Sequence, residues 1–117
     1  MEAFEKFEVW KRSSRLAVSL YKSLVNCKDY SLKDQLTRAA VSVPSNIAEG
    51  FERNSNRQFA QFLQIAKGSC GELRTQLYIC SEIGEPDAKI AHEYRLEAVE
   101  ISKMLQGLIK NCRNNDN

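Results

Sequence analysis

The sequence predicts an all-α protein: one domain, residues 1–117, folded as an antiparallel up-down-up-down four-helix bundle. Three observations carry that reading. Apolar residues recur three and four apart along four long stretches. The patterns S-x-x-D and S-x-x-Q, and a Gly followed by Pro two residues on, divide those stretches from one another. No alternating apolar–polar run is bounded by turns on both sides, so no strand is expected. The links are short, which makes consecutive helices antiparallel neighbours. A chain of 117 residues can build one core but not two.

Helix one is expected over about Lys6 to Asn26. Its seam is Phe7, Trp10, Ser14, Ala17, Tyr21 and Leu24, and Lys11, Arg12, Arg15 and Lys22 fall on its other faces. Ser31, with Asp34 three residues on, reads as the cap of helix two. That helix runs to about Gly50, a residue suited to the left-handed position past a helix end. Leu36, Ala39, Ala40, Val43 and Ile47 form its apolar face. A polar line runs beside that face: Gln35, Arg38, Ser42, Asn46 and Glu49. Pro44 removes one backbone hydrogen bond at a cost of roughly 3 kcal/mol. The helix is therefore expected to kink there or to consist of two pieces. The hydroxyls of Ser42 and Ser45 are placed to satisfy the freed groups.

Ser55 with Gln58 opens helix three, about Asn56 to Ile83, with a seam of Phe59, Phe62, Ala66, Ser69, Leu73, Leu77 and Cys80. Gly68 and Gly71 lie inside it, each costing about 1 kcal/mol against alanine. Close approach of the alanines of helix two is the reading that fits them. Gly84 and Pro86 end the helix. Helix four covers about Asp87 to Asn111, with Ile90, Tyr94, Ala98, Ile101, Leu105, Leu108 and Cys112 on one face. Residues Arg113 to Asn117 read as a frayed polar tail.

Several function classes find no support. There is no glycine-rich phosphate loop and no nucleophile elbow. Cys27, Cys70, Cys80 and Cys112 are far apart, and His92 is the single histidine. No metal or cofactor is implied, and the cysteines read as core or boundary residues. His92 falls on a polar part of helix four and reads as solvated. No apolar run approaches a membrane span, and the first residues lack a secretory pattern, so a cytoplasmic protein is expected. The net charge of +2 neither announces nor excludes a nucleic-acid partner.

The residues also resemble a known family. Phe7-Glu8-Val9-Trp10, Arg38-Ala39-Ala40, Ser42-Val43-Pro44-Ser45-Asn46-Ile47-Ala48-Glu49-Gly50, and Phe62-Leu63 through Glu72-Leu73 are similar to the 23S rRNA intervening-sequence proteins. The resemblance implies a four-helix bundle of bacterial origin without enzymatic activity. It further implies likeness to the accessory protein of diversity-generating retroelements, a basic five-membered ring that binds nucleic acid and a reverse transcriptase. The motif residues then read as determinants of fold and assembly, with no catalytic role.

Two sets of residues are candidates for a site. One is a polar seam of Gln35, Arg38, Ser42, Asn46, Glu49 and Glu72, in which Arg38 is expected to be buried and paired with Glu72. The other is a basic pole where the chain start, the second link and the chain end meet. Lys6, Lys11, Arg12, Arg53, Arg57, Lys110 and Arg113 gather there as candidate nucleic-acid contacts, diluted by Glu2, Glu5, Glu8 and Glu52. Val9, Leu16 and Val18 on helix one, and Ile65, Tyr78 and Ile79 on helix three, lie off their seams. Such surplus apolar surface implies a homo-oligomer, and the resemblance favours a ring of five. Two readings stand: an oligomeric bundle that binds nucleic acid or a nucleic-acid enzyme, and an assembly module with no nucleic-acid role.

Overall fold

The computed structural model describes residues 3–85 and 87–115, and every regular element in them is helical. A 3-10 turn, Ala3–Lys6, leads into α1 (Glu8–Ser23); α2 is Tyr30–Glu52, α3 is Asn56–Ile83 and α4 is Ala88–Asn114. Each helix packs on its neighbours in sequence, and α1 closes against α4. The diagonal pairs, α1 with α3 and α2 with α4, bring no Cα atoms within 8 Å of each other among the described residues. Ser42 meets Ser69 and Gly50 meets Phe62 across α2 and α3. Lys67 meets Gln106 and Tyr78 meets Arg95 across α3 and α4. Numbers rise on one helix as they fall on the other, so these partners are antiparallel. The outcome is the expected four-helix bundle, 48 Å long and 23 by 21 Å across.

Side-chain caps set three of the helix starts. Ser55 accepts from the Gln58 N–H, and Asp87 accepts from the Ile90 N–H. At α2 the cap is Asp29, accepting from the Leu32 N–H at 3.1 Å, and not Ser31. Asp29 takes the role because Tyr30 and Ser31 are already helical. α3 ends as expected on Gly84, which is left-handed at φ 77°. Pro86 lies outside the described residues. α4 is helical through Asn114, beyond the expected end.

Gly50 has a different role from the expected one. It lies inside α2 and is buried, and the left-handed residue of the link is Asn54, at φ 57°. A Cβ at Gly50 would stand 2.5 Å from the Cβ of Phe62. The glycine is therefore the point where α2 and α3 come closest at their joined end. Around it, Phe7, Phe51 and Phe59 meet with centroids 5.4–5.7 Å apart. This aromatic cluster ties the entry to α1, the end of α2 and the start of α3 together. Gly68 and Gly71 make no such approach: a Cβ at either meets nothing within 4 Å. Contact with the alanines of α2 does not explain them, because they lie on exposed or half-exposed parts of α3.

Pro44 does not divide α2, which is one unbroken helix across it. The Asn46 amide donates to the Ser42 carbonyl at 2.8 Å in the same turn. The Ser42 hydroxyl goes instead to Ser69 on α3, at 2.8 Å.

The core is the expected one in α2, and in α3 it is close to it. Leu36, Ala39, Ala40, Val43 and Ile47 are buried, as are Leu63, Ala66, Cys70, Leu73, Leu77 and Cys80. In α1 the buried line is Val9, Leu16, Leu20 and Leu24, with Ser13 and Ala17. Tyr21, placed in the seam by sequence, is 52% exposed, and Val9 and Leu16, placed off it, are buried. The stripe has turned by about one residue. The large rings of Trp10 and Tyr21 suggest a core line, yet they cover its edge.

Two measurements follow. Gly50→Ala should lower stability by about 2 kcal/mol, because the Cβ of Phe62 cannot swing away. Gly68→Ala should raise it by up to about 1 kcal/mol, since the added methyl meets open space in a helix. Urea denaturation followed by circular dichroism distinguishes the two signs. Cys70 is fully buried, donates to the Ala98 carbonyl at 3.1 Å, and has its thiol pKa pushed up to about 11 by burial. Its thiolate is scarce at neutral pH. Alkylation of the native protein, read by peptide mass spectrometry, should label half-buried Cys27 first and Cys70 only on unfolding.

Candidate interaction surfaces

The polar seam contracts to a small cluster. Ser42, Asn46 and Ser69 form a hydrogen-bonded group between α2 and α3, with the Asn46 amide 3.0 Å from the Ser42 hydroxyl. Gln35, Glu49 and Glu72 are exposed. Arg38 is neither buried nor paired with Glu72: its side chain is 78% exposed and bonds Asp34, one turn back, at 2.7 Å. Arg38 points to solvent on α2, and a carboxylate of its own helix is within easier reach than one on α3. A pair this exposed contributes little to stability.

The bidentate pair of the molecule lies elsewhere. Arg12 on α1 meets Glu97 on α4 through Nε–Oε2 at 2.9 Å and Nη2–Oε1 at 2.5 Å. The hydrogen bonds that Arg12 donates to the Glu97 carboxylate hold the Arg12 pKa above its ordinary value. Further along the same seam, the hydroxyls of Ser23 and Tyr94 are 2.7 Å apart. The sequence alone did not pair Arg12 with Glu97, because periodicity gives each helix a face but not its height against a neighbour.

The basic pole is only partly free. Arg12 is committed to Glu97, and Arg53 lies 3.9 Å from Glu49 and over the ring of Phe62. Lys6 sits over the rings of Phe7 and Phe51. Lys11 is half-buried beside Trp10. Arg57, Lys110 and Arg113 are exposed and form no ion pair among the described residues. Arg57 and Arg113 line one cavity of about 470 Å³ between α3 and α4, together with Asn56 and Gln64. A second cavity between the same helices, about 340 Å³, is lined by Arg74, Tyr78 and Arg95. A third, about 620 Å³, is a shallow groove along α1 past Trp10, Ser14 and Val18.

Among the described residues no group of His, Cys, Asp and Glu is arranged to hold a metal. His92 is exposed, as expected, with Nδ1 3.3 Å from Arg95 Nη2. No helix is long and apolar enough to cross a membrane.

Fold and surface together define a small all-α bundle whose polar chemistry is confined to helix seams and exterior grooves. The chain belongs to the family of 23S rRNA-intervening sequence proteins, whose pattern it matches over residues 5–107. Among solved structures it is similar to a protein of unknown function from the S23 ribosomal protein family of Bacteroides thetaiotaomicron VPI-5482. The two are 27% identical and superpose with a TM-score of 0.80 over 87% of this chain and 98% of that one. No curated protein matches it.

The inter-helix pair gives a quantitative expectation. A double-mutant cycle of Arg12→Gln and Glu97→Gln should return a coupling of about 1 kcal/mol, appropriate to a bidentate but part-exposed pair. Denaturant midpoints of the four variants measure it.

Proposed function

We propose that this protein is a non-enzymatic, cytoplasmic building block that assembles with copies of itself and serves as an accessory to nucleic acid or to a nucleic-acid enzyme. The observation that carries the assembly part is the pair of apolar rows left on the exterior. Val18 and Tyr21 of α1, and Val25 just past its end, are 53%, 52% and 67% exposed. Ile65, Ile79 and Ile83 of α3 are 52%, 47% and 59% exposed. Exposed apolar rows of this kind mark interfaces more often than solvent-facing surface.

Their placement favours a particular kind of symmetry. α1 and α3 occupy opposite corners of the bundle, so the two rows face away from each other. One row of a copy meeting the other row of the next is a head-to-tail contact, which generates a ring when the rotation between copies closes. Val9 and Leu16 add nothing to this surface, since both are buried. The number five comes from the family resemblance alone. The cations Arg57, Lys110 and Arg113, which form no ion pair among the described residues, support the nucleic-acid part. Assembly without nucleic acid is the alternative reading.

Light scattering tests the assembly. The wild-type protein should show a mass that is a multiple of 13.4 kDa. Val18→Asp and Ile65→Asp should each return it to the monomer with helical content intact. A monomer for the wild type across about a hundredfold dilution would end the proposal.

A further inference from the structure

The eight arginines divide into two groups by position. Arg12 and Arg15 on α1, Arg38 within α2 and Arg53 just past its end each have a carboxylate partner. Arg57 and Arg74 on α3, and Arg95 and Arg113 on α4, have none among the described residues. All four of the second group line the two cavities of the α3–α4 groove, and no Asp or Glu lines either cavity. Arg95 is the most constrained of them. It lies over the Tyr78 ring at 5.9 Å, and its Nε is buried without a hydrogen-bond partner. Lys67 stands between the two arginine pairs, 2.6 Å from Gln106. Glu82, one turn beyond Tyr78, accepts from the Tyr78 hydroxyl and raises its pKa.

We propose that the α3–α4 groove is a binding surface for the phosphate backbone of a nucleic acid, held by Arg57 and Arg113 at one end and Arg74 and Arg95 at the other. The inference rests on the nucleic-acid part of the function proposed above and moves its centre from the pole to the whole groove. Arg57 and Arg74 are seventeen residues apart on one straight element, about 25 Å at the helical rise. That distance spans about seven steps of a duplex strand, at roughly 3.4 Å each. A duplex, charged at every step on both strands, presents phosphates to both arginine pairs, on one strand or across a groove on the other. An acidic peptide would need carboxylates matched to two fixed points. The forked donors of arginine fit phosphate oxygens, and the polar side chains of Asn56, Gln61 and Gln64 beside Arg57 are of the kind that contact backbone without reading sequence. Binding is accordingly tolerant of sequence and sensitive to salt.

Fluorescence anisotropy of a labelled duplex of about 20 base pairs, as RNA and as DNA, between about 50 and 200 mM salt, tests the groove. The wild type should bind with an affinity that falls steeply with salt. Arg74→Gln with Arg95→Gln should weaken binding at least about tenfold and flatten the log–log salt slope by about 0.9 for each arginine removed. Arg57→Gln with Arg113→Gln, at exposed positions that leave the core untouched, should do the same. Arg15→Gln with Arg38→Gln, which removes two paired arginines outside the groove, should leave affinity and slope unchanged. Wild-type binding that both groove variants retain would overturn the groove while leaving the nucleic-acid reading in place. No wild-type binding to either duplex would overturn both. Competition by polyglutamate as effective as by duplex at equal charge would assign the groove to an acidic protein segment and overturn the proposal.

Discussion

The bundle depends on residue 50 having no side chain. The hairpin of α2 and α3 closes where the Gly50 Cα faces the Cβ of Phe62, a gap that no other residue type fits. With the two backbones this close, Phe51 and Phe59 meet edge to face and Phe7 completes the cluster from the entry to α1. The direction in which α1 sets out is therefore fixed by an aromatic cluster built around a glycine. Further along the hairpin, Ala39, Ala40 and Ala66 keep the helices close enough for Ser42 and Ser69 to bond directly.

Charge is distributed to suit this architecture. Across the α1–α4 seam a guanidinium and a carboxylate meet with both hydrogen bonds made. On α1 and α2 the remaining arginines are neutralised by carboxylates close in sequence. Along α3 and α4 the arginines have no carboxylate partner among the described residues, and a net charge of only +2 conceals that asymmetry. A whole-chain charge sums over surfaces that face opposite ways. It is a poor guide to the potential in any one groove.

Much of the fold was legible in the sequence. Helical periodicity set four elements, and the Ser55 and Gly84 signals placed both ends of α3. The α1 seam was misread because size was taken for burial: Trp10 and Tyr21 are large, but Val9, Leu16 and Leu20 are the residues facing inward. Gly50 was read as a local backbone signal when its role is a contact with a residue twelve positions away. Arg38 was assigned to Glu72 from helix adjacency, and Arg12 to a basic pole as a candidate nucleic-acid contact. Both depend on how far one helix slides along another, which a periodic pattern does not encode. The candidate sites suffered most for the same reason, since a groove is made by two helices and its register belongs to neither.

The α1–α4 seam gives the bundle an uneven cohesion. α3 and α4 share an extensive apolar boundary that includes Cys70, Ala98 and Leu105, whereas α1 touches α4 more sparingly and through polar groups such as Arg12, Ser23 and Tyr94. Water can replace hydrogen bonds at such a seam but cannot replace apolar burial. α1 is therefore the helix expected to open ahead of global unfolding, held on that side by polar groups and on the other by its apolar contact with α2. In the assembly proposed above, a helix that detaches at low cost and carries an exposed apolar row would be one that neighbouring copies exchange, so the weakest seam within a subunit would set how readily subunits trade partners.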